Sequence, residues 1–367
     1  MRAFEFLIEN ETPVPKKVGR EFNHLEDLVF TEPKGAVRAV EILKSLTKTT
    51  NGVSIKWDGS PTVYWGRDAD GTFHLVGKNN WGREEGKSST PEELEKFILS
   101  RGKGEDWRPK FASDMAAMWP IFERATPKDF IGYVYGDILF HPGKPAEGKD
   151  GFIIFTPNQT TYEVKGTSND GRKLGKASVA VAAHKIYESF GDKHGFDIED
   201  VSEFNTTANL VVYGQTYVQN SLTSTIDLSD IEKVAHANWH KIDSFLAPVT
   251  GMGYLRDSLY TFINSKSKDK ALDDVNPTSF FNWLSSNAAR AKKIDAHTKN
   301  HPGVLDIIFD LVSKIMAAKN QIISNLDQTK ADITAHTAGE PGGEGYMHTK
   351  HGVKLVPRHR WTPFRAD

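Results

Sequence analysis

Residues 34–47, KGAVRAVEILKSLT, set Val37, Val40, Ile42, Leu43 and Leu46 at helical spacing, which predicts a helix. The period then drops to two. VSIKW, PTVYWGR and TFHLVGK, between residues 53 and 78, read as strands, and RDADGT is the turn joining the second to the third, because Asp-Gly tolerates the positive φ of a tight hairpin. Helical spacing returns at 91–101, behind a Thr90-Pro91 cap, and at 110–124. DFIGYVYGDILF is a strand rich in aromatic and branched residues, and GFIIFTPNQTTYEVK gives two more. To about residue 220 the pattern is that of a mixed domain built on antiparallel sheet.

From 226 to 335 the texture changes. LSDIEKVAHANWHKIDSFLA and GVLDIIFDLVSKIMAAKNQIISNL carry apolar residues at i, i+3, i+4 and i+7 with polar faces between them. Sheet-type sequence resumes after the turn-rich AGEPGG, in GEGYMHTKHGVKLVPRHRWTPF. The predicted organisation is a sheet domain in two pieces, 1–225 and 337–367, with a helical insertion at 226–336.

Composition narrows this picture. With 367 residues and 38% hydrophobic content the chain can bury a sizeable core. It has no cysteine, which excludes disulfides, thiolate zinc sites and cysteine nucleophiles and accords with a reducing cytosol. The start, MRAFEFLIENETPVPKK, lacks a signal-peptide core, and no run of eighteen apolar residues occurs, so a cytoplasmic protein without membrane association is expected. Forty-six basic residues stand against forty-eight acidic ones, so a polyanionic partner would need a local patch. One such stretch runs from Gly342 to Arg365, where Lys350, Lys354, Arg358, Arg360 and Arg365 face Glu344 alone, a local charge of +4. Trp361 and Phe364 lie among them, a composition suited to tracking phosphates and stacking bases.

Three chemical motifs are set aside, two of them on spacing. In GREEGKSS, Gly82 and Gly86 are four apart where a phosphate loop needs five. Asp68, Asp70 and Gly71 begin like a calcium loop, but no further ligands follow at the required intervals. His348 and His351, with His336 and His359 nearby, read as surface histidines of a basic segment rather than as a metal cluster.

Lys56-Trp57-Asp58-Gly59-Ser60 has the form Lys-x-Asp-Gly, and here the sequence resembles the covalent nucleotidyltransferases: RNA ligases, DNA ligases and capping enzymes. Tyr135-Gly136-Asp137-Ile138-Leu139 resembles their third motif, and Phe152-Ile153-Ile154-Phe155 the apolar strand that follows it. Glu344-Gly345-Tyr346-Met347 resembles the fourth motif, and Val353-Lys354-Leu355-Val356 the closing lysine strand. The order is kept across the chain. HLED at 24–27, KWDGSP, GDILF, FTPN and VKLVPR together look like a set of ligase-like phage proteins.

The resemblance implies an α+β fold: an antiparallel-sheet, ATP-grasp-like ligase core with the helical insertion and no C-terminal OB domain. It implies a monomer that takes ATP with Mg²⁺ or Mn²⁺, stores AMP on Lys56, and seals 5′-phosphate and 3′-hydroxyl ends of RNA or DNA. For a phage-encoded chain the compartment would be the host cytoplasm. Ile55, Asp58, Gly59, Arg67, Asp137, Phe155 and Lys354 would surround the nucleotide, and Glu344 with Asp137 would hold metal. The chemistry asks for such a set independently. A lysine amine has an ordinary pKa of about 10.4 and must lose a proton before it attacks phosphorus, which neighbouring cations and a desolvated pocket promote. Two departures stand out. Pro61 occupies the place of a common arginine, for which Arg67 is the candidate replacement, and Lys354 has no second lysine beside it at the usual spacing. Competing readings are a DNA ligase, another AMP-transferring enzyme of the same fold, or a ligase-fold phage binding protein without chemistry.

Overall fold

The computed structural model describes residues 22–101, 106–198, 200–218, 226–328, 332–337 and 339–358. The chain opens with β1 (Asn23–His24), α1 (Leu28–Thr31), α2 (Gly35–Leu46), β2 (Val53–Ile55), β3 (Thr62–Arg67) and β4 (Phe73–Gly77). Next come α3 (Pro91–Ser100), α4 (Arg108–Ala125), β5 (Gly132–Phe140), β6 (Glu147–Lys149), β7 (Phe152–Phe155), β8 (Thr160–Lys165) and α5 (Asn169–Leu174). β9 (Val179–Tyr187), β10 (Phe196–Asp197) and β11 (Leu210–Tyr213) precede the helices α6 (Ser229–Phe245), α7 (Leu255–Lys268), α8 (Pro277–Leu284), α9 (Ala288–Lys299) and α10 (Val304–Asp327). The last strands are β12 (Ile333–Thr337), β13 (Glu340–Pro341), β14 (Tyr346–His348) and β15 (Val353–Leu355). Thr90 caps α3 by accepting from the Glu93 N–H, with Pro91 in the first turn, so that boundary lies where the sequence puts it.

The protein is α+β, with antiparallel-rich sheets. Its chain divides into two compact units. As far as described, residues 56–216 and 332–343 form a two-sheet unit, and 22–55, 217–328 and 344–358 form a helix-rich unit.

In the two-sheet unit, β10-β9-β5-β3-β4 form one sheet, with β11 pairing β9 in parallel, and β13-β12-β8-β7-β6 form the other. Val63, Trp65, Val134, Ile138, Val181 and Ala183 of the larger sheet pack with Met115, Trp119 and Phe122 of α4. That leaves the opposite face, with Tyr64, Tyr133 and Tyr187, for other duties.

In the helix-rich unit, β1-β15-β14-β2 make a small sheet. Val53, Val353 and Leu355 from one face of it join a core supplied mainly by α2, α6, α7 and α10. The 226–336 helices are therefore not an insertion apart from the closing strands. Three-residue strands expose an apolar face that needs cover, and the helices provide it. The 226–336 stretch also splits: β12 belongs to the other unit, where it pairs antiparallel with β8. Among the described residues, no helix is long and apolar enough to cross a membrane.

Candidate active site

The Lys-x-Asp-Gly segment is a strap between the two sheets of its unit. Trp57 is buried, donates from Nε1 to Thr216 Oγ1 at 3.2 Å, and stacks on Tyr213, with Phe155 and Tyr162 beyond. Asp58 caps the β7–β8 turn: its carboxylate accepts from Asn158 Nδ2 at 3.0 Å and from the N–H groups of Gln159 and Thr160 at 3.2 Å each. Its own N–H donates to the Tyr162 hydroxyl at 2.7 Å. Gly59 lies against β5 so closely that a Cβ there would sit 2.6 Å from Asp137 Cβ. Ser60 N–H donates to Ile138 O at 2.8 Å, and Ile138 N–H returns a bond to Pro61 O at 2.9 Å. Asp58 thus ties the strap to the smaller sheet, and Ser60 and Pro61 tie it to the larger one.

Lys56, half-buried, heads this strap. Two residues separate it from Gly59, so its Cα lies within about 11 Å of the Gly59 Cα. Asp137 is itself engaged. Its Oδ1 accepts from Thr62 Oγ1 at 2.6 Å, and its Oδ2 pairs with His184 Nε2 at 2.9 Å. Side-chain exposure is 33% for His184 and 19% for Asp137, so the pair faces solvent. Tyr135, two residues earlier on β5, has its ring 5.6 Å from that of His184.

A register shift in β5–β9 puts His184 there. Tyr135 pairs with Lys185 but Gly136 with Ala183, so His184 is the extra residue of a β-bulge. Gly136 makes room for this, since a Cβ on it would sit 2.5 Å from Ala182 O. The other end of the same face is closed by Asp68, which takes hydrogen bonds from Lys87, Tyr133 and His74. Burial would raise the Asp68 carboxyl, but the bonds from Lys87 and Tyr133 outweigh it and hold the group below its ordinary value.

Two of the residues placed around the nucleotide by their sequence do other work. Arg67 ends β3 far from Thr62, and its buried guanidinium donates to the carbonyls of Gly71, Glu123, Thr126 and Pro127. Four hydrogen bonds to backbone make it a structural clamp rather than a substitute for the arginine missing at Pro61. Phe155 is 3% exposed and packed against Phe140, Tyr162 and Trp57, so it is core and has no face for a base.

Residues 20–363 match the family described as a family of unknown function, DUF6267. The chain belongs to that family. No curated protein and no solved structure matches it.

The remaining motif residues of this DUF6267 chain lie in the helix-rich unit. Ile55 pairs with Tyr346, two residues after Glu344, and is half-buried on the same face of β2 as the core residue Val53. Lys354 pairs with Met347 of β14 and His24 of β1, and both Lys354 and Glu344 are half-buried. Gly345 has φ +136°, and a Cβ on it would meet Leu355 O at 2.6 Å, so the Glu-Gly step requires glycine on backbone grounds. Among the described residues no three His, Asp or Glu side chains gather as a metal site. Each Asp137 oxygen has one partner, Thr62 Oγ1 on Oδ1 and His184 Nε2 on Oδ2.

The basic stretch also changes meaning. Arg358 is 2% exposed and makes a closed cluster with Glu26, Asp27 and Lys319. Its Nε donates to Glu26 at 2.6 Å, its Nη1 to Asn264 at 2.7 Å, and its Nη2 to Asp27. Lys319 Nζ donates to Glu26 Oε1 at 2.9 Å and to Val356 O at 2.8 Å. Burial alone would raise the Glu26 carboxyl, but Lys319 and Arg358 hold it well below its ordinary range, whereas burial pushes Asp27 up to about 6. HLED and VKLVPR therefore meet in one ion cluster, which Lys319 of α10 completes. Arg360, Trp361, Phe364 and Arg365 lie outside the described residues.

The sequence reading missed His184 and Thr62. Its one available signal was VAVAAHKIY, where two adjacent polar residues interrupt an apolar strand, as a bulge does.

Proposed function

We propose that the protein is an ATP-dependent, RNA-ligase-like nucleotidyltransferase that carries AMP on Lys56 and transfers it to a 5′-phosphate end for sealing to a 3′-hydroxyl. The strap carries this reading. Trp57, Asp58, Gly59, Ser60 and Pro61 each have a holding role, and together they fix the backbone of the strap that Lys56 heads, with Gly59 against Asp137 of the half-open Asp137–His184 pair. A nucleophile needs that kind of support, because covalent capture divides joining into two easier steps only when the amine meets phosphorus in a fixed geometry. Glu344 and Lys354 are assigned to metal and phosphate by the resemblance alone. A divalent ion would arrive on the triphosphate and neutralise phosphate charge there.

Intact-mass measurement after incubation with ATP and Mg²⁺ tests the reading. Wild type should gain one AMP in an acid-labile, base-stable linkage. Lys56→Ala should gain none, and neither should Lys56→Arg, whose guanidinium stays protonated above about pH 12. Glu344→Ala should gain much less. A label that forms equally well in Lys56→Ala removes the mechanism, and no label with any nucleoside triphosphate favours a binding protein.

A further inference from the structure

The basic stretch near the end of the chain is partly spent on the fold, since Arg358 is buried, but a different basic surface is open on the smaller sheet of the two-sheet unit. There Lys149 of β6 pairs with Phe152 of β7, and Phe152 pairs with Lys165 of β8, so the three stand in one row on one face. All three are exposed, Phe152 at 36%. Phe155, Tyr162 and Val164 turn to the opposite face and are buried. Local backbone fixes the row. Asp150 and Gly151 join β6 to β7 with φ of +50° and +83°, a two-residue turn that sets the register. Gly166 N–H donates to Gly151 O at 2.8 Å, and a Cβ on Gly171 of α5 would sit 2.1 Å from Lys165 O, so the turn, the end of β8 and α5 are held together. Exposed Arg172 and Lys173 of α5, and Lys176 just after it, come to the same end of the sheet. These five cations against Asp150 and Asp170 give a local charge of +3. Among the described residues Lys149, Lys165, Lys173 and Lys176 have no carboxylate partner. The next row is Glu147, Ile154 and Glu163, so the positive charge is confined to the end of the face.

We propose that this row docks a single-stranded polynucleotide, with the Phe152 ring stacked on a base and Lys149 and Lys165 on the phosphates to either side; the choice of a polynucleotide among polyanions rests on the ligase reading above. Neighbouring strands lie about 4.8 Å apart, so the two lysines stand about 10 Å apart across the ring, and their flexible four-carbon stems carry the ammonium groups to phosphates on both sides. Stacking accepts any base, because every base has a π-face. The acidic second row repels the sugar-phosphate chain and keeps it on the first. From Phe152, β7 runs toward the β7–β8 turn that Asp58 caps, so the row and the anchor of the lysine strap lie at opposite ends of the same two strands.

The test is fluorescence anisotropy with a labelled oligouridylate of about twelve nucleotides and its deoxy counterpart, with inorganic polyphosphate as competitor. The full chain is used without nucleoside triphosphate or Mg²⁺, so that no AMP transfer takes part. Wild type should bind both oligonucleotides, with affinity falling steeply as salt rises. Phe152→Leu keeps an apolar side chain for the fold but has no ring; it should bind both oligonucleotides roughly tenfold more weakly, at an unchanged salt slope and with unchanged affinity for polyphosphate. Phe152→Trp should bind at least as tightly as wild type. Lys149→Gln combined with Lys165→Gln should reduce the salt slope by about 1.4, two phosphate contacts at about 0.7 each. No oligonucleotide binding by wild type, unchanged affinity in Phe152→Leu, or an unchanged slope in the double lysine variant overturns the proposal. A loss in Phe152→Leu that extends equally to polyphosphate overturns it too, because polyphosphate has no base to stack. Binding that meets these expectations in a protein that gains no AMP supports the docking row and removes the lysyl-AMP reading, so the two fail separately.

Discussion

Asp137 and Glu26 are both carboxylates held by a nitrogen base, at 2.9 Å from His184 and 2.8 Å from Lys319 respectively. One is a fifth exposed and the other not at all. In the closed cluster two acids meet two bases, the charges cancel, and every group is spent on the fold. In the open cluster one acid holds one imidazole, and both keep part of their surface in solvent. The residue types overlap, and burial separates the structural from the chemical use of them.

The largest way to break this contrast is Arg358→Met. It leaves Glu26 and Asp27 buried with Lys319 as their only cation in the cluster, and stability in urea should fall by about 3–5 kcal/mol. A loss below about 1 kcal/mol would mean that water reaches the cluster and that it is not closed. Next comes Gly59→Ala in the open region. The added methyl overlaps Asp137 Cβ and the β5 backbone, so we expect a loss of about 1–3 kcal/mol together with a sharp fall in AMP gain. Unchanged stability and labelling would show that the strap does not lie against β5.

The smallest effect compares two histidines. Burial, aided by His351 and Lys350, pushes His348 down to about 4, so between about 4 and 6.5 the unfolded chain binds more protons than the folded one. Stability should therefore rise with pH across that window and be lost as pH falls toward 4, by at most about 1.4 kcal/mol per pH unit for this group. His348→Gln should flatten the slope by up to that amount in pH-dependent unfolding. A slope identical to wild type would assign it to other groups.

Elements with a strong period were legible in the sequence. The helix predicted from Val37, Val40, Ile42, Leu43 and Leu46 is α2, and the strands read in DFIGYVYGDILF and GFIIFTPNQTTYEVK are β5, β7 and β8. The division into units was not legible, because which surface covers Val353 and Leu355 is a long-range choice that local pattern does not encode. At the site, Gly59 comes against Asp137 as its motif suggests, but the roles of Arg67 and Phe155 depend on backbone carbonyls and rings far away in sequence. His184 was hidden for a similar reason. A bulge is a property of two strands, and one strand's sequence shows only a break in alternation.

The closed cluster also has a timetable. Lys319 follows Glu26 by 293 residues and Arg358 follows it by 332. At roughly 5–20 residues per second of synthesis, Glu26 and Asp27 leave the ribosome some 15 seconds to a minute before either cation exists. Two acids destined for complete burial must stay hydrated for that time, so the segment around α1 and α2 cannot settle into its final packing early. The helix-rich unit is therefore expected to close late and in one step, when its last strand arrives with the arginine that neutralises the first.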